Sequence, residues 1–86
     1  MADSLALDVD FQAMGQVLDA LACRLLDLER LDPSSVTEDE FADSKNDALA
    51  LAPLYRDFRR RAVETFGEQI LRFAPAIGRL DELYGR

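Results

Sequence analysis

Eighty-six residues with a formal net charge of −7, one cysteine and no histidine narrow the possibilities considerably. Such a chain makes one small domain, and small domains lean on disulfides, metals or association for stability; Cys23 has no second cysteine to pair with, and a lone thiolate without histidine cannot close a zinc shell. The usual general base and the Ser-His and Cys-His pairs are missing too, and no glycine-rich loop precedes a helix, so a non-enzymatic protein without cofactor or metal is expected.

The first element is a heptad helix. Leu7, Phe11, Met14, Leu18, Leu21, Leu25 and Leu28 recur at alternating spacings of four and three, the seam by which two helices pack at a shallow angle. Asp8, Asp10, Gln12, Gln16, Asp19, Arg24 and Asp27 fill the polar positions, so Asp19, off the seam, is expected to tolerate replacement. Asp8 or Asp10 serves as N-cap, because a carboxylate there accepts orphan amide hydrogens. The helix ends before Pro33, since the residue preceding proline is pushed out of the α region. Helix one thus covers about 8–31.

Residues 32–43 read as a linker. Asp32-Pro33-Ser34-Ser35 is a turn by composition. Thr37-x-x-Glu40 has the form of a capping box that would start a helix at Glu38, and Asp43-Ser44 offers a second start a turn later.

The second helical region runs from about 44 to 84. Its early stripe is Ala48, Leu51, Tyr55, Phe58 and Ala62; its later stripe is Val63, Phe66, Ile70, Phe73, Ile77, Leu80 and Tyr84. The two registers differ by one residue at Ala62-Val63, so the stripe drifts around the helix. Pro53 and Pro75 each remove an amide donor and crowd the preceding turn. Because the stripe continues across both, kinks are expected, with a true break at Pro53 as the alternative. The architecture that follows is all-α: one domain over 1–86, an antiparallel hairpin of two long helices, completing a bundle by dimerisation.

Apolar residues also lie off the main seam, at Val17, Leu26, Leu54 and Leu71. One seam cannot bury these as well, so they imply a second contact surface. With the large groups of the later stripe they define the expected partner interface: Leu26, Leu54, Phe66, Leu71, Phe73 and Ile77. The partner is a protein, joined as a homo- or heterodimer of helical hairpins.

Charge and apolar length bound the other partners. Residues 1–50 hold twelve acidic and three basic side chains, and residues 51–86 hold five and seven. The acidic half repels phosphate, so no nucleic-acid partner is expected. The one basic cluster, Arg56, Arg59, Arg60 and Arg61, reads as a solvated face paired with carboxylates such as Asp57 and Glu64. No apolar run approaches the roughly 18 residues that span a bilayer, so no membrane insertion is expected. Met1-Ala2-Asp3-Ser4 has no basic n-region, which points to a cytoplasmic protein, or to one secreted without a cleaved signal peptide.

Leu5-Ala6-Leu7-Asp8-Val9-Asp10 opening a heptad helix, a polar linker, a second helix entered through Phe41-Ala42-Asp43-Ser44, and Leu51-x-x-Leu54-Tyr55-x-x-Phe58 early in that helix resemble the actinobacterial ESX (type VII) secretion-associated proteins. These are helical-hairpin relatives of the Trp-x-Gly secreted proteins. The resemblance covers most of the chain and implies a non-catalytic hairpin that is secreted, or paired with a secreted partner. Two departures stand against it: the linker has no tryptophan, and Tyr84 is followed only by Gly85 and Arg86, so Tyr-x-x-x-Asp/Glu is incomplete. A partner would then supply the export signal. The alternative is a cytoplasmic dimerisation, adaptor or antitoxin-like module.

Overall fold

In the computed structural model, which describes residues 8–85, the chain forms three α-helices: α1 (Phe11–Glu29), α2 (Glu38–Phe66) and α3 (Ala76–Tyr84). Short 3-10 segments at Pro33–Ser35 and Glu68–Phe73 connect them, and there is no strand among the described residues. Leu7, the first residue of the expected seam, lies outside the described residues.

Local chemistry sets the boundaries. Asp10 is the N-cap of α1, its carboxylate accepting from the Ala13 amide at 2.8 Å. The Arg30 amide closes the other end on the Leu26 carbonyl. Thr37 and Glu40 form the complete capping box: the Thr37 hydroxyl accepts from the Glu40 amide, and the Glu40 carboxylate accepts from the Thr37 amide. The second helix therefore starts at Glu38, six residues before the expected 44, and the linker is correspondingly shorter. Asp43-Ser44 sits inside the helix, where the Ser44 hydroxyl donates back to the Phe41 carbonyl.

α2 passes unbroken through Pro53. The proline is exposed, and so is Leu49 four residues earlier. The carbonyl that loses its amide partner thus belongs to an exposed residue on the outer side of the helix, which keeps the cost of an internal proline bearable. The chain breaks instead at Gly67, whose φ of +87° and ψ of 167° are open to glycine and strained for other residues. Pro75 is not a kink within a helix either; it stands immediately before α3. The continuous helical region expected over 44–84 is thus replaced by α2, a 3-10 segment and a separate α3.

The arrangement follows from which ends meet. Phe11 at the start of α1 packs on Phe66 at the end of α2, while Arg24 and Leu28 share a groove with Asp47 and Leu51. α1 and α2 are therefore antiparallel. α3 begins beside Asp19 and ends with Tyr84 near Glu29, so it runs parallel to α1 and antiparallel to α2. α1 packs against both other helices and the second 3-10 segment, which makes it the central element. This explains its wide apolar face. Leu18, Ala22, Leu25, Leu26 and Leu28 are all buried, more than a single seam would use.

The core is completed by Ala48, Tyr55, Ala62, Ile70, Ala74, Ala76, Ile77 and Leu80. Phe11, Met14 and Leu21 of the expected seam are only partly buried and pack against it. The expected two-helix hairpin is corrected accordingly: the surface it left uncovered on helix one is covered within the chain by α3.

Asp19 is the device that holds α3 in place. Its Oδ1 accepts from the Ala76 amide at 2.9 Å across 57 residues of sequence. Pro75 supplies no donor and no side-chain cap, so this carboxylate from another helix serves as the N-cap of α3. The expectation that Asp19 is neutral is overturned by that bond.

Candidate functional site

The six residues expected at a partner interface do not share one surface. Leu26 and Ile77 are 4% and 3% exposed and belong to the core, because α3 folds onto α1. Buried there, they are not part of a surface that a partner could meet. Leu71 and Phe66 are partly buried against the core. Only Leu54 (45% exposed) and Phe73 (60%) are free to meet a partner, and they lie in separate grooves.

Phe66 and Phe73 are brought together through a third ring. Phe11 packs edge-on against both, with centroids 5.6 and 5.2 Å away. Gly15 makes the approach of Phe73 possible: a Cβ built there would lie 3.1 Å from the Phe73 Cβ. The result is an aromatic edge at the α1 N-terminus, with Phe73 outermost beside Asp10, Gln12 and Gln16. Cys23 on α1 is a free thiol, half-buried against the core.

A longer concavity lies between α2 and α3. Both helices pack on α1, and a groove of about 540 Å³ remains between them, walled by Arg56, Arg59, Arg60, Val63 and Glu64 from α2 and by Asp81 and Tyr84 from α3, with Tyr55 as its buried floor. It meets a second groove of about 470 Å³, formed by Lys45, Ala48, Leu49 and Ala52 of α2 and Glu29 of α1, at the shared residues Arg56 and Tyr84. On α2 the groove-lining positions Lys45, Leu49, Ala52, Arg56, Arg60 and Val63 are three and four residues apart, one face of the helix. The neighbouring face, Ala48, Leu51, Tyr55, Phe58 and Ala62, packs in or against the core as its periodicity implied.

The charges within this groove are largely matched. Arg59 donates two hydrogen bonds to Asp81, at 2.8 and 3.1 Å, and a third to the Tyr55 hydroxyl at 3.2 Å. The Asp81 bond raises the guanidinium's already high pKa, while burial pushes the Tyr55 phenol up from its ordinary value. Arg60 bridges Asp57 and Glu64, and Arg61 pairs with Asp57, so these arginines form the carboxylate-paired face that the sequence suggests. Arg56 and Lys45 make no ion pair with any described residue; Lys45 instead lies 5.2 Å over the Phe41 ring.

Sequence reasoning missed Leu49, at 75% the most exposed large apolar side chain among the described residues, and Leu83. Both fall outside the heptad stripes, and their signal was the very fact that no seam claimed them. It also missed the Arg59–Asp81 pair, which joins two helices read as one. The chain matches no protein family, no curated protein and no solved structure. No helix of the described residues is long and apolar enough to cross a membrane.

Proposed function

We propose that this chain is a non-catalytic helical interaction protein that joins a protein partner, as a homo- or heterodimer, through apolar surface left over after its own core is formed. One observation carries the reading. A chain whose core, among the described residues, already holds thirteen buried apolar side chains still exposes Leu49, Leu54, Phe73, Leu83 and Tyr84. Large apolar groups around grooves are what a partner buries, and a few of them dominate the binding energy. The resemblance to the type VII secretion-associated proteins gives this role a setting, as a substrate of that pathway or a partner of one. The antiparallel α1–α2 pair supports that setting, whereas α3 is additional to it. A cytoplasmic adaptor or antitoxin-like module is the competing setting.

Light scattering after gel filtration tests the interaction, on the protein alone and co-expressed with the products of neighbouring genes. A mass above that of the monomer in either sample is expected. A sharp monomer peak in both, with no binding of an apolar dye, overturns the reading. Comparing culture medium from the native host with and without its type VII secretion ATPase separates the two settings.

A further inference from the structure

We infer that the two adjoining grooves along α2, faced by α3 and by Glu29 of α1, receive one amphipathic helix of a partner protein, an acidic helix whose carboxylates flank its apolar stripe. This deepens the interaction reading above and rests on it.

Shape points to a helix. α2 and α3 pack on α1 from two sides and leave two adjoining grooves along the α2 face, from Lys45 to Val63, with Arg56 and Tyr84 in the walls of both. Eighteen residues of helix rise about 27 Å, so the trough is long enough for about five turns of a docked helix. Its apolar contacts are the ones a helix engages in a groove: Leu49 near one end, Tyr84 in the middle, Val63 at the other. A helix seated there would pack along α2 and meet α3 at Tyr84 and Asp81, as the fourth member of a bundle.

Charge points to acidic flanks. The protein carries −7 overall, yet the α2 side of the trough presents Lys45, Arg56, Arg59 and Arg60. Asp81 holds Arg59, and Asp57 and Glu64 hold Arg60, leaving Lys45 and Arg56 outside the ion pairs of the described residues; Glu29 of α1 lines the same groove and offsets part of their charge without pairing with either. Arg56 stands where the two grooves meet, beside Tyr84. A carboxylate on the incoming helix would find its complement there, and such complementarity sets partner choice and association rate.

The test uses fluorescein-labelled amphipathic peptides of roughly 20 residues, with one leucine stripe and flanks of either glutamate or lysine. Anisotropy is read with the full chain, alongside amide shifts in its NMR spectrum. The glutamate peptide should bind at least about tenfold more tightly than the lysine peptide, moving the Leu49, Arg56, Val63 and Tyr84 amides. Arg56 is exposed and makes no ion pair with a described residue, so Arg56→Glu should keep the wild-type melting curve while removing most of that preference, and Arg56→Lys should retain it. Equal or better binding of the lysine peptide, shifts centred on Gln12, Gln16 and Phe73, or a dimer of this chain that closes the trough to both peptides would overturn the inference. If the glutamate peptide fails while a native partner is lost on Phe73→Ala and kept on Arg56→Glu, the groove assignment falls and the interaction reading stands.

Discussion

Replacing Asp19 with alanine should detach α3. The Asp19 carboxylate accepts from the Ala76 amide, and Ala76 is fully buried, so no water takes the place of the lost acceptor. Removing a helix N-cap costs about 0.5–2 kcal/mol, and a buried amide left without a partner costs about 1–3 kcal/mol. These are two descriptions of one lost bond and do not add, so a loss of about 1–2 kcal/mol is expected. At nine residues α3 is too short to hold helical structure alone, and its Ala76, Ile77 and Leu80 are core residues. The loss should therefore show first as opening of α3 and then as a lower midpoint for the whole domain.

Urea denaturation followed by circular dichroism reads the global effect, and hydrogen exchange at the α3 amides reads the local one. Asp19→Asn keeps an acceptor without the charge that favours a helix N-terminus and should lose only part as much. Asp27→Ala, exposed on the same helix, removes a carboxylate of the same charge and should cost under about 0.5 kcal/mol. Equal midpoints for Asp19→Ala and Asp27→Ala, with unchanged exchange in α3, would refute the claim that this bond fixes the third helix.

Other perturbations probe the rest of the fold. Leu25→Ala empties a fully buried position of α1 and should cost about 2–5 kcal/mol by denaturant titration, against under about 0.5 kcal/mol for the exposed Leu49→Ala. Gly67→Ala has open space for its methyl group, yet φ of +87° should cost about 1–3 kcal/mol through backbone strain, seen as a lower melting temperature. The backbone and hydroxyl of Thr37 hold the Glu40 carboxyl below its ordinary value of 4.5, so its contribution to stability is present above that value and lost as pH falls through the lower folded one. An NMR titration of the Glu40 side chain should show that low midpoint, and Thr37→Ala should move it toward 4.5.

Much of the local structure was legible because it is written in neighbouring residues. Asp10 before a heptad helix, and Thr37 with Glu40 three residues on, satisfy amides within one turn, and both caps form. The break at Gly67 was hidden because a 3-10 segment also places apolar residues about every three positions, so the stripe Val63, Phe66, Ile70, Phe73, Ile77 runs through it without interruption. The prolines drew attention as breakers, but Pro53 faces solvent within α2 and Pro75 merely precedes α3, while the decisive residue was a glycine with a backbone angle that no spacing reveals. Spacing alone places Leu26 and Ile77 at a partner interface for the same reason. With α3 fused to α2 in one long helix, nothing inside the chain remained to cover them. Asp19 and Ala76, 57 residues apart, meet only once that third helix exists.

Folding α3 back onto α1 moves the open apolar surface rather than removing it. A two-helix hairpin would expose the far side of α1, which carries Leu26; α3 buries that side and creates a new concavity against α2, floored by Tyr55 and tied at one point by Arg59 and Asp81. That tie sets the spacing between α2 and α3 without filling the space between them. The polar cross-link is then a spacer for an apolar trough, and its two charges cancel, leaving Arg56 and Lys45, with Glu29 across from them, as the charges of the adjoining groove. In a chain of net charge −7, two cations outside the ion pairs, set beside exposed leucine and tyrosine, are the contacts that the proposed acidic helix would meet.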